Sequence, residues 1–440
     1  MTSVAPLFGA IADDLTGGAE LASMLVARGV PTGFTIGAQA PLSPGVAAHV
    51  VALKTRVKHA DEAVAQTLAA ADRLVAAGCR QIFLKYCATF DSTPLGNIGP
   101  CAEALMERLG TEATLFCPHL IEVGLTVFQG HMFRGRDLLS ETEKRFDPLT
   151  PLTDANLVRV LARQSRRGVG LIAFDAVDAG PAAILAAIER MKARGRPLLI
   201  VDAVRERDQA TIAEVAADLP LMTGNSSIAA HLPPVWRARG LLPDTPPTAL
   251  PGVDGPAAVL AGSVADRTAA QLDHFERDHP VIRLDLAEAF AGADLVELAL
   301  AAARPHLAEG RAIAVATTAS QDAVAALQQS HGVAAAAAKA EAILAALATR
   351  LVGDLGVRRL LVAGGETSGA VVQALGVERL DVGAYLGPGL NRAVTTGERP
   401  IALVLKSGKL GPVEMFGQML EAMRHSQAPP GRDDRWPPAR

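Results

Sequence analysis

Two carboxylates stand side by side near the front of the chain, in Asp13-Asp14-Leu15-Thr16-Gly17-Gly18, directly after an apolar run. Adjacent acids at the carboxyl end of a strand, followed by a glycine turn and a helix, suit binding sugar hydroxyls or deprotonating one. The same residues also read as a helix start, with Asp14 or Thr16 as the N-cap. Two basic clusters follow at the ends of later apolar runs: Lys54-Thr55-Arg56, and Lys85-Tyr86-Cys87-Ala88-Thr89-Phe90-Asp91-Ser92-Thr93. Cations at neighbouring strand ends can hold a carboxylate or phosphate by charge-assisted hydrogen bonds. Lys85 lies within its apolar run, between Leu84 and Tyr86, which sets it apart from ordinary surface charge. Asp91-Ser92-Thr93 equally reads as a helix cap before Pro94.

A second set of candidates lies towards the other end. The apolar run at 359–363 leads into Gly364-Gly365-Glu366-Thr367-Ser368-Gly369 and then a helical pattern. Glycines there let backbone N–H groups approach an anion, the helix start adds a favourable dipole, and the Thr367 and Ser368 hydroxyls add donors. Gly262-Ser263, Gly387-Pro388-Gly389 and Lys406-Ser407-Gly408-Lys409-Leu410-Gly411 are further glycine or hydroxyl loops after apolar runs, and loops of this kind converging favour a nucleotide. Neither G-x-x-x-x-G-K-[ST] nor G-x-G-x-x-G occurs, so a P-loop NTPase and a standard dinucleotide fold lose support. His119 and His131 lie in a polar stretch without metal-ligand spacing and read as loop histidines, His131 with a minor expectation of touching substrate.

These residues need elements to carry them. Short apolar runs at 7–12, 30–36, 49–53, 81–86, 114–117, 169–174 and 197–201 alternate with helix-like segments at 19–28, 61–77, 97–109 and 154–164. Strands alternating with helices predict an α/β domain with a largely parallel sheet. A Pro-rich stretch at 233–256 breaks the pattern. The expected organisation is an N-terminal domain over 1–240, a linker over 241–256, a second α/β domain over 257–426 and a flexible tail over 427–440. The second domain takes its strands from 257–260, 281–285, 312–317, 359–363 and 401–405. No internal repeat is visible. Two such domains put the ligand site in the cleft between them, at the carboxyl ends of the strands.

The chain has 440 residues, 50% apolar and 20% charged, as in a globular protein of two or three units. A net charge of −4 offers no basic field for a phosphate backbone, so a nucleic-acid partner is not expected. Four cysteines without a C-x-x-C pair suggest neither a zinc ribbon nor a disulfide framework, but reduced cytoplasmic thiols. No secretory signal pattern opens the sequence, and the Ala-rich stretch at 333–348 carries Lys339 and Glu341. A cytoplasmic protein without a membrane span is expected, with self-association left open.

Taken together, the motifs resemble the four-carbon acid sugar kinases over nearly the whole chain. The likeness rests on Ile11-Ala12-Asp13-Asp14-Leu15-Thr16-Gly17, Lys85-Tyr86-Cys87 with Thr89-Phe90-Asp91-Ser92-Thr93, Gly96-Asn97-Ile98-Gly99-Pro100, Gln129-Gly130-His131, Pro148-Leu149-Thr150-Pro151 and Ala363-Gly364-Gly365-Glu366-Thr367-Ser368-Gly369-Ala370. The resemblance implies a sugar-acid-binding N-terminal domain, an ATP-binding C-terminal domain, and phosphorylation of the terminal hydroxyl of a four-carbon sugar acid, foremost 3-oxo-tetronate. It implies ATP contacts at Ser263, at Gly364, Gly365, Glu366, Thr367 and Ser368, and at Gly408, with Mg²⁺ bridging the phosphates. On this reading Asp14, or Asp13, orients and deprotonates the hydroxyl, Arg56 and Lys85 hold the acid end, and Thr16, Lys54, Asp91 and His131 complete the sugar-acid site.

The chain departs from the family pattern in four places. Gly18-Ala19-Glu20 replaces Ala-Thr-Asp, Ala88 replaces a serine, Leu125 and Phe128 replace an arginine and a tyrosine, and Lys409-Leu410 replaces Asn-Phe. Three of these fall in the expected sugar-acid half, so 3-oxo-isoapionate, threonate and erythronate stand as alternative substrates. Arg134 or Arg136 is a candidate to replace the missing guanidinium. A catalytically silent ligand-binding homologue is the competing reading; a nicotinamide dehydrogenase lacks its glycine fingerprint.

Overall fold

The computed structural model describes residues 6–147, 149–242, 248–317, 326–327, 329–388 and 390–428. The chain divides into two compact units, with the boundary between Pro247 and Thr248. Pro148 and Gly389, the 243–247 part of the expected linker and the 429–440 part of the expected tail lie outside the described residues.

The first unit contains β1 (Phe8–Ala12), β2 (Thr32–Ile36), β3 (Ala48–Ala52), β4 (Gln81–Lys85), β5 (Thr114–Cys117), β6 (Leu125–Phe128), β7 (His131–Arg134), β8 (Asp137–Leu138), β9 (Val169–Ile172), β10 (Leu198–Val201) and β11 (Leu221–Gly224). Its main sheet runs in the order β2-β3-β1-β4-β11-β5-β10-β9, every pair parallel. Such a sheet has helices on both faces, so its strands read as continuous apolar runs, and all five residues of β1 and of β4 are buried. Phe8 anchors the centre, its ring centroid 5.6 Å from Phe83 and 5.5 Å from Trp236. The register pairs Ala12 with both Ala52 and Lys85, and Lys85 with Gly224, so the carboxyl ends of β3, β1, β4 and β11 finish level.

The helix after β1 begins at Leu15, earlier than periodicity predicts, because the Asp14 side chain caps it by accepting from the Gly17 N–H. The helix expected over 154–164 is confined to Leu157–Ala162, where the Asn156 side chain caps it through the Arg159 N–H. Strand β11 and the antiparallel sheet β6-β7-β8 were not expected. In β6 the buried residues alternate, Leu125 and Val127 against Thr126 and Phe128, a two-residue period too short to stand out in a polar stretch. Of the two histidines read as loop residues, His119 does lie between elements but is buried rather than solvated, and His131 belongs to a strand. His119 is fully buried, takes a hydrogen bond from the Gln209 amide at 2.8 Å, and is held neutral by burial, which lowers its pKa to about 3. His131 opens strand β7.

The second unit contains β12 (Ala257–Ala261), β13 (Val281–Arg283), β14 (Ile313–Ala316), β15 (Arg359–Ala363), β16 (Arg379–Val382), β17 (Ala393–Thr395) and β18 (Ala402–Lys406). They run in the order β13-β14-β12-β15-β18-β17-β16. All pairs are parallel except those of β17, which is antiparallel to β18 and to β16. Ala363 pairs with both Ala261 and Lys406, so β12, β15 and β18 also end level. Leu250 and Val253, within the stretch read as linker, are buried in this unit's core. Leu250 exchanges backbone hydrogen bonds with Gln427.

Candidate active site

At the level ends of β1, β3 and β4 the first unit gathers Asp13, Asp14, Thr16, Arg56 and Lys85. The Asp13 carbonyl accepts from the Thr55 and Arg56 N–H groups, and the Asp13 N–H donates to the Lys85 carbonyl at 3.0 Å, so backbone bonds align the strand ends. The Asn97 side chain donates to the Thr55 carbonyl at 2.7 Å and the Lys58 carbonyl at 3.0 Å, bracing the loop that carries Arg56. Arg56 grips Asp13 with two hydrogen bonds, Nε to Oδ2 at 2.8 Å and Nη2 to Oδ1 at 2.9 Å, while Nη2 lies 2.7 Å from Asp14 Oδ1. Lys85 is buried, with Nζ 3.7 Å from Asp14 Oδ1. A Cβ added to Gly17 would fall onto Lys85 Nζ, which explains glycine in the first turn of the helix.

Electrostatics follow from this packing. Burial would raise the Asp14 carboxyl, but Arg56, Lys85, the Thr16 hydroxyl and the Gly17 N–H outweigh it and hold the pKa at about 2. The Arg56 guanidinium, despite burial, is held charged by Asp13 and Asp14. Glu20, one turn further along the helix, behaves oppositely: burial raises its pKa against Lys85 and a hydrogen bond from Ser226 Oγ at 3.0 Å.

Asp91 belongs to an adjoining group. It accepts from Thr89 Oγ1 at 2.6 Å and pairs with the buried Lys144 at 2.7 Å, which also reaches Asp147 at 2.7 Å. Lys144 was missed by sequence reasoning; the only signal was a lysine shortly before the Pro148-Leu149-Thr150-Pro151 motif. Cys87 bridges the two groups: its thiol lies 3.0 Å from Thr89 Oγ1, it feels the charges of Asp91, Arg56 and Lys85, and burial pushes it up to about 11. His131 sits in a separate arrangement. Its Nδ1 donates to the Gln129 carbonyl at 2.9 Å, which leaves Nε2 as the acceptor facing the Asn156 amide at 3.3 Å. The turn before it is pinned by the fully buried Asp202, whose carboxylate accepts from the N–H groups of Gln129, Gly130 and Phe174. Nothing in the sequence singles out Asp202, because its partners are backbone groups distant along the chain. Lys54 is exposed beyond the end of β3.

In the second unit Ser263, Gly364, Thr367 and Gly408 converge. A Cβ on Gly408 would fall onto Ser263 Oγ and one on Gly262 onto Thr367 Oγ1; Gly364, at φ +134°, adopts a conformation that side-chain-bearing residues avoid. Ser368 turns its hydroxyl inward to the Gly364 carbonyl at 2.7 Å, and Thr367 is buried, so Gly365 and Glu366 form the exposed part of this helix start. Lys406, fully buried at the end of β18, was also missed. Among the described residues its Nζ donates to the Gly408 carbonyl at 3.4 Å and Thr268 Oγ1 at 3.5 Å and lies 5.9 Å from the Phe416 ring centroid, and burial lowers its pKa to about 8.

Two family models divide the chain as the two units do: a sugar-binding N-terminal domain matches residues 8–232 and a nucleotide-binding C-terminal domain matches 258–416. A 3-oxo-tetronate kinase of Burkholderia multivorans is 47% identical over 95% of this chain and 97% of its own. One from Cupriavidus necator is 46% identical over 95% and 97%. The chain belongs to the four-carbon acid sugar kinase family. The family fold is seen in a Salmonella typhimurium LT2 crystal structure provisionally described as a tRNA synthase, 37% identical, covering 93% of this chain and 98% of that one, TM-score 0.82. A Haemophilus influenzae crystal structure agrees at 34% identity, 94% and 99% coverage and TM-score 0.74.

Within this kinase family the departures acquire places. Leu125, where the family carries arginine, is buried in the core and pairs across the β6–β7 ladder with Arg134. Arg134 is engaged by Glu143. Phe128, in place of tyrosine, is partly exposed, with its ring 5.7 Å from Phe174. Among the described residues no helix is long and apolar enough to cross a membrane.

Proposed function

We propose that the chain is an ATP-dependent kinase that converts 3-oxo-tetronate to 3-oxo-tetronate 4-phosphate in cytoplasmic carbohydrate catabolism. The observation that carries this reading is the strand end of the sugar-binding unit that gathers two fixed cations and two carboxylates, with Arg56 and Lys85 converging on Asp13 and Asp14. A tetronate has a carboxylate at one end and a hydroxyl at the other, and so needs fixed cations as well as acceptors for its hydroxyl protons. Arg56 and Lys85 supply the first; Asp13, Asp14 and Asp91 supply the second, with Thr16, Lys54 and His131 completing the set. Sugar acid would exchange part of the Arg56–aspartate pairing for its own contacts, a trade between charge-assisted bonds of similar strength.

Ser263, Gly364, Gly365, Glu366, Thr367, Ser368 and Gly408 are the proposed ATP contacts, with glycines admitting the phosphates close to backbone N–H groups. Magnesium in phosphotransfer sites rides mainly on phosphate oxygens with one or two carboxylates, which fits described residues lacking any cluster of three His, Cys, Asp or Glu. It would neutralise charge on the β- and γ-phosphates. The protein's own contribution is to align hydroxyl and γ-phosphoryl group and to exclude water from them.

The test is ADP release with ATP and Mg²⁺ across 3-oxo-tetronate, 3-oxo-isoapionate, D-threonate, L-threonate and D-erythronate. Fastest turnover on 3-oxo-tetronate is expected. Leu125 and Phe128 favour a second reading, a related acid, which a different preference in the same panel would select. No ADP release with any acid would sink both.

A further inference from the structure

Each oxygen of the paired aspartates already has a role in holding the fold together. Asp13 is clamped by Arg56 through both oxygens. Asp14 spends Oδ2 on Thr16 Oγ1 at 2.6 Å and Oδ1 on the Gly17 N–H, Arg56 and Lys85. A carboxylate capping a helix and neutralised by two cations is a weak proton acceptor. Glu20 differs. It lies three residues after Gly17, on the same face of the helix Leu15–Ala27, the face over which Lys85 passes. Ser226 Oγ sits on this face too, 3.0 Å from Glu20 Oε2 and 3.5 Å from the Gly17 carbonyl. Glu20 is half-buried, and its Oε1 makes no hydrogen bond among the described residues.

Resting on the kinase reading above, we propose that Glu20 is the catalytic base that takes the proton from the acceptor hydroxyl. In the step, the hydroxyl proton passes to Glu20 Oε1 as the hydroxyl oxygen forms its bond to the γ-phosphorus. The bond from that phosphorus to the β,γ-bridging oxygen breaks, and ADP leaves with the electron pair. Lys85, facing both Asp14 and Glu20, offsets the charge of Glu20 as it gains and loses its proton. The groups that set Glu20's basicity are Lys85 on β4, Ser226 beyond β11, Asp14 at the helix start and Glu122 in the short turn Ile121–Val123. Burial and the two neighbouring acids raise its pKa, which moves it towards the working pH of a general base.

Glu20→Gln, Glu20→Asp, Ser226→Ala and Asp14→Asn are to be compared with the parent enzyme on its best acid, by kcat, KM for both substrates, pH profile and melting temperature. Glu20→Gln is expected to lower kcat at least a hundredfold, leave KM for ATP within about twofold, and remove the acid limb of the profile. Glu20→Asp, which restores the acid usual in the family, is expected to recover to within about tenfold of the parent. Ser226→Ala cuts the hydrogen bond that lowers the Glu20 pKa but keeps the acid, and should move the acid limb to higher pH with a smaller loss of kcat than Glu20→Gln. Asp14→Asn should lower the melting temperature and retain the acid limb. An active parent with Glu20→Gln within threefold in kcat overturns the assignment while leaving the kinase reading intact. So does a Ser226→Ala loss as large as that of Glu20→Gln, since Glu20 would then act only as a clip. A parent inactive on every acid overturns both.

Discussion

Gly17 and Lys406 are two residues whose neighbours set the terms of any substitution. A methyl group at position 17 falls onto Lys85 Nζ and Asp14 Oδ1, so Gly17→Ala displaces the cation from the face it shares with Glu20. Although alanine favours a helix by up to about 1 kcal/mol over glycine, turnover is expected to fall at least tenfold; kinetics within twofold of the parent would show that Lys85 can move aside. Lys406 is a buried ammonium whose hydrogen bonds among the described residues are long ones to a hydroxyl and a carbonyl, with the Phe416 ring beside it. Its folded pKa of about 8 lies below the ordinary 10.5, so between those values the unfolded chain holds a proton that the native one lacks. Stability from this group therefore rises with pH across that window. Lys406→Met is expected to melt no lower than the parent at pH 7, to lose this pH dependence, and to raise KM for ATP at least tenfold. An unchanged KM would make Lys406 purely a packing residue.

Among the elements, the hairpin β6–β7 is held by backbone bonds of Val127 to Ala203 and Met132 to Ala155, and its turn by one distant side chain. Asp202 Oδ2 accepts from Gln129 and Phe174, and Oδ1 from Gly130, holding Gln129 at φ +48°. In Asp202→Asn an amide NH₂ meets a backbone N–H, and an unsatisfied buried donor costs about 1–3 kcal/mol. Amide exchange at Gln129, Gly130 and Phe174 is expected to speed up about tenfold or more, while β1 and β4 keep their protection; unchanged exchange would mean the turn is held by its strands alone. Burial raises the Asp202 pKa to about 6, so its contribution is full below about 3.8 and is lost as pH rises through 6, a slope the variant should not show. Strands at the centre of each sheet were legible because both faces are buried and their residues are uniformly apolar. The hairpin and the antiparallel β16-β17 pair were not, since short half-buried strands are defined by the partner they meet; β11, though fully buried between β4 and β5, is only four residues long and ends in Thr223-Gly224, too short an apolar run to stand out.

Across the whole molecule, the charges that matter for acid stability fall unevenly. Asp14 and Asp147 in the first unit are both held at about 2, below the ordinary 3.8, by Arg56 and Lys85 in one case and Lys144 in the other, against the opposing effect of burial. Their contribution is present above about pH 3.8 and lost as pH falls towards 2. Asp381, a carboxyl of the second unit, is instead pushed up by burial. Scanning calorimetry from pH 4 to pH 2, below the range in which Asp202 titrates, should therefore lower the transition of the sugar-binding unit more than that of the nucleotide-binding unit; equal shifts would argue that the native ion pairs survive in the unfolded chain. The sequence alone determined the α/β class, the two halves, the strand-end acids and cations, and the glycine loops, because these depend on local composition and on motifs contiguous along the chain. Only the tertiary structure decided which of those groups touch. It turned Arg56 onto the two aspartates, left Glu20 with an open oxygen, and brought in Lys144, Asp202 and Lys406, because pairing between residues tens of positions apart is set by strand register and burial, and neither is written in any one segment.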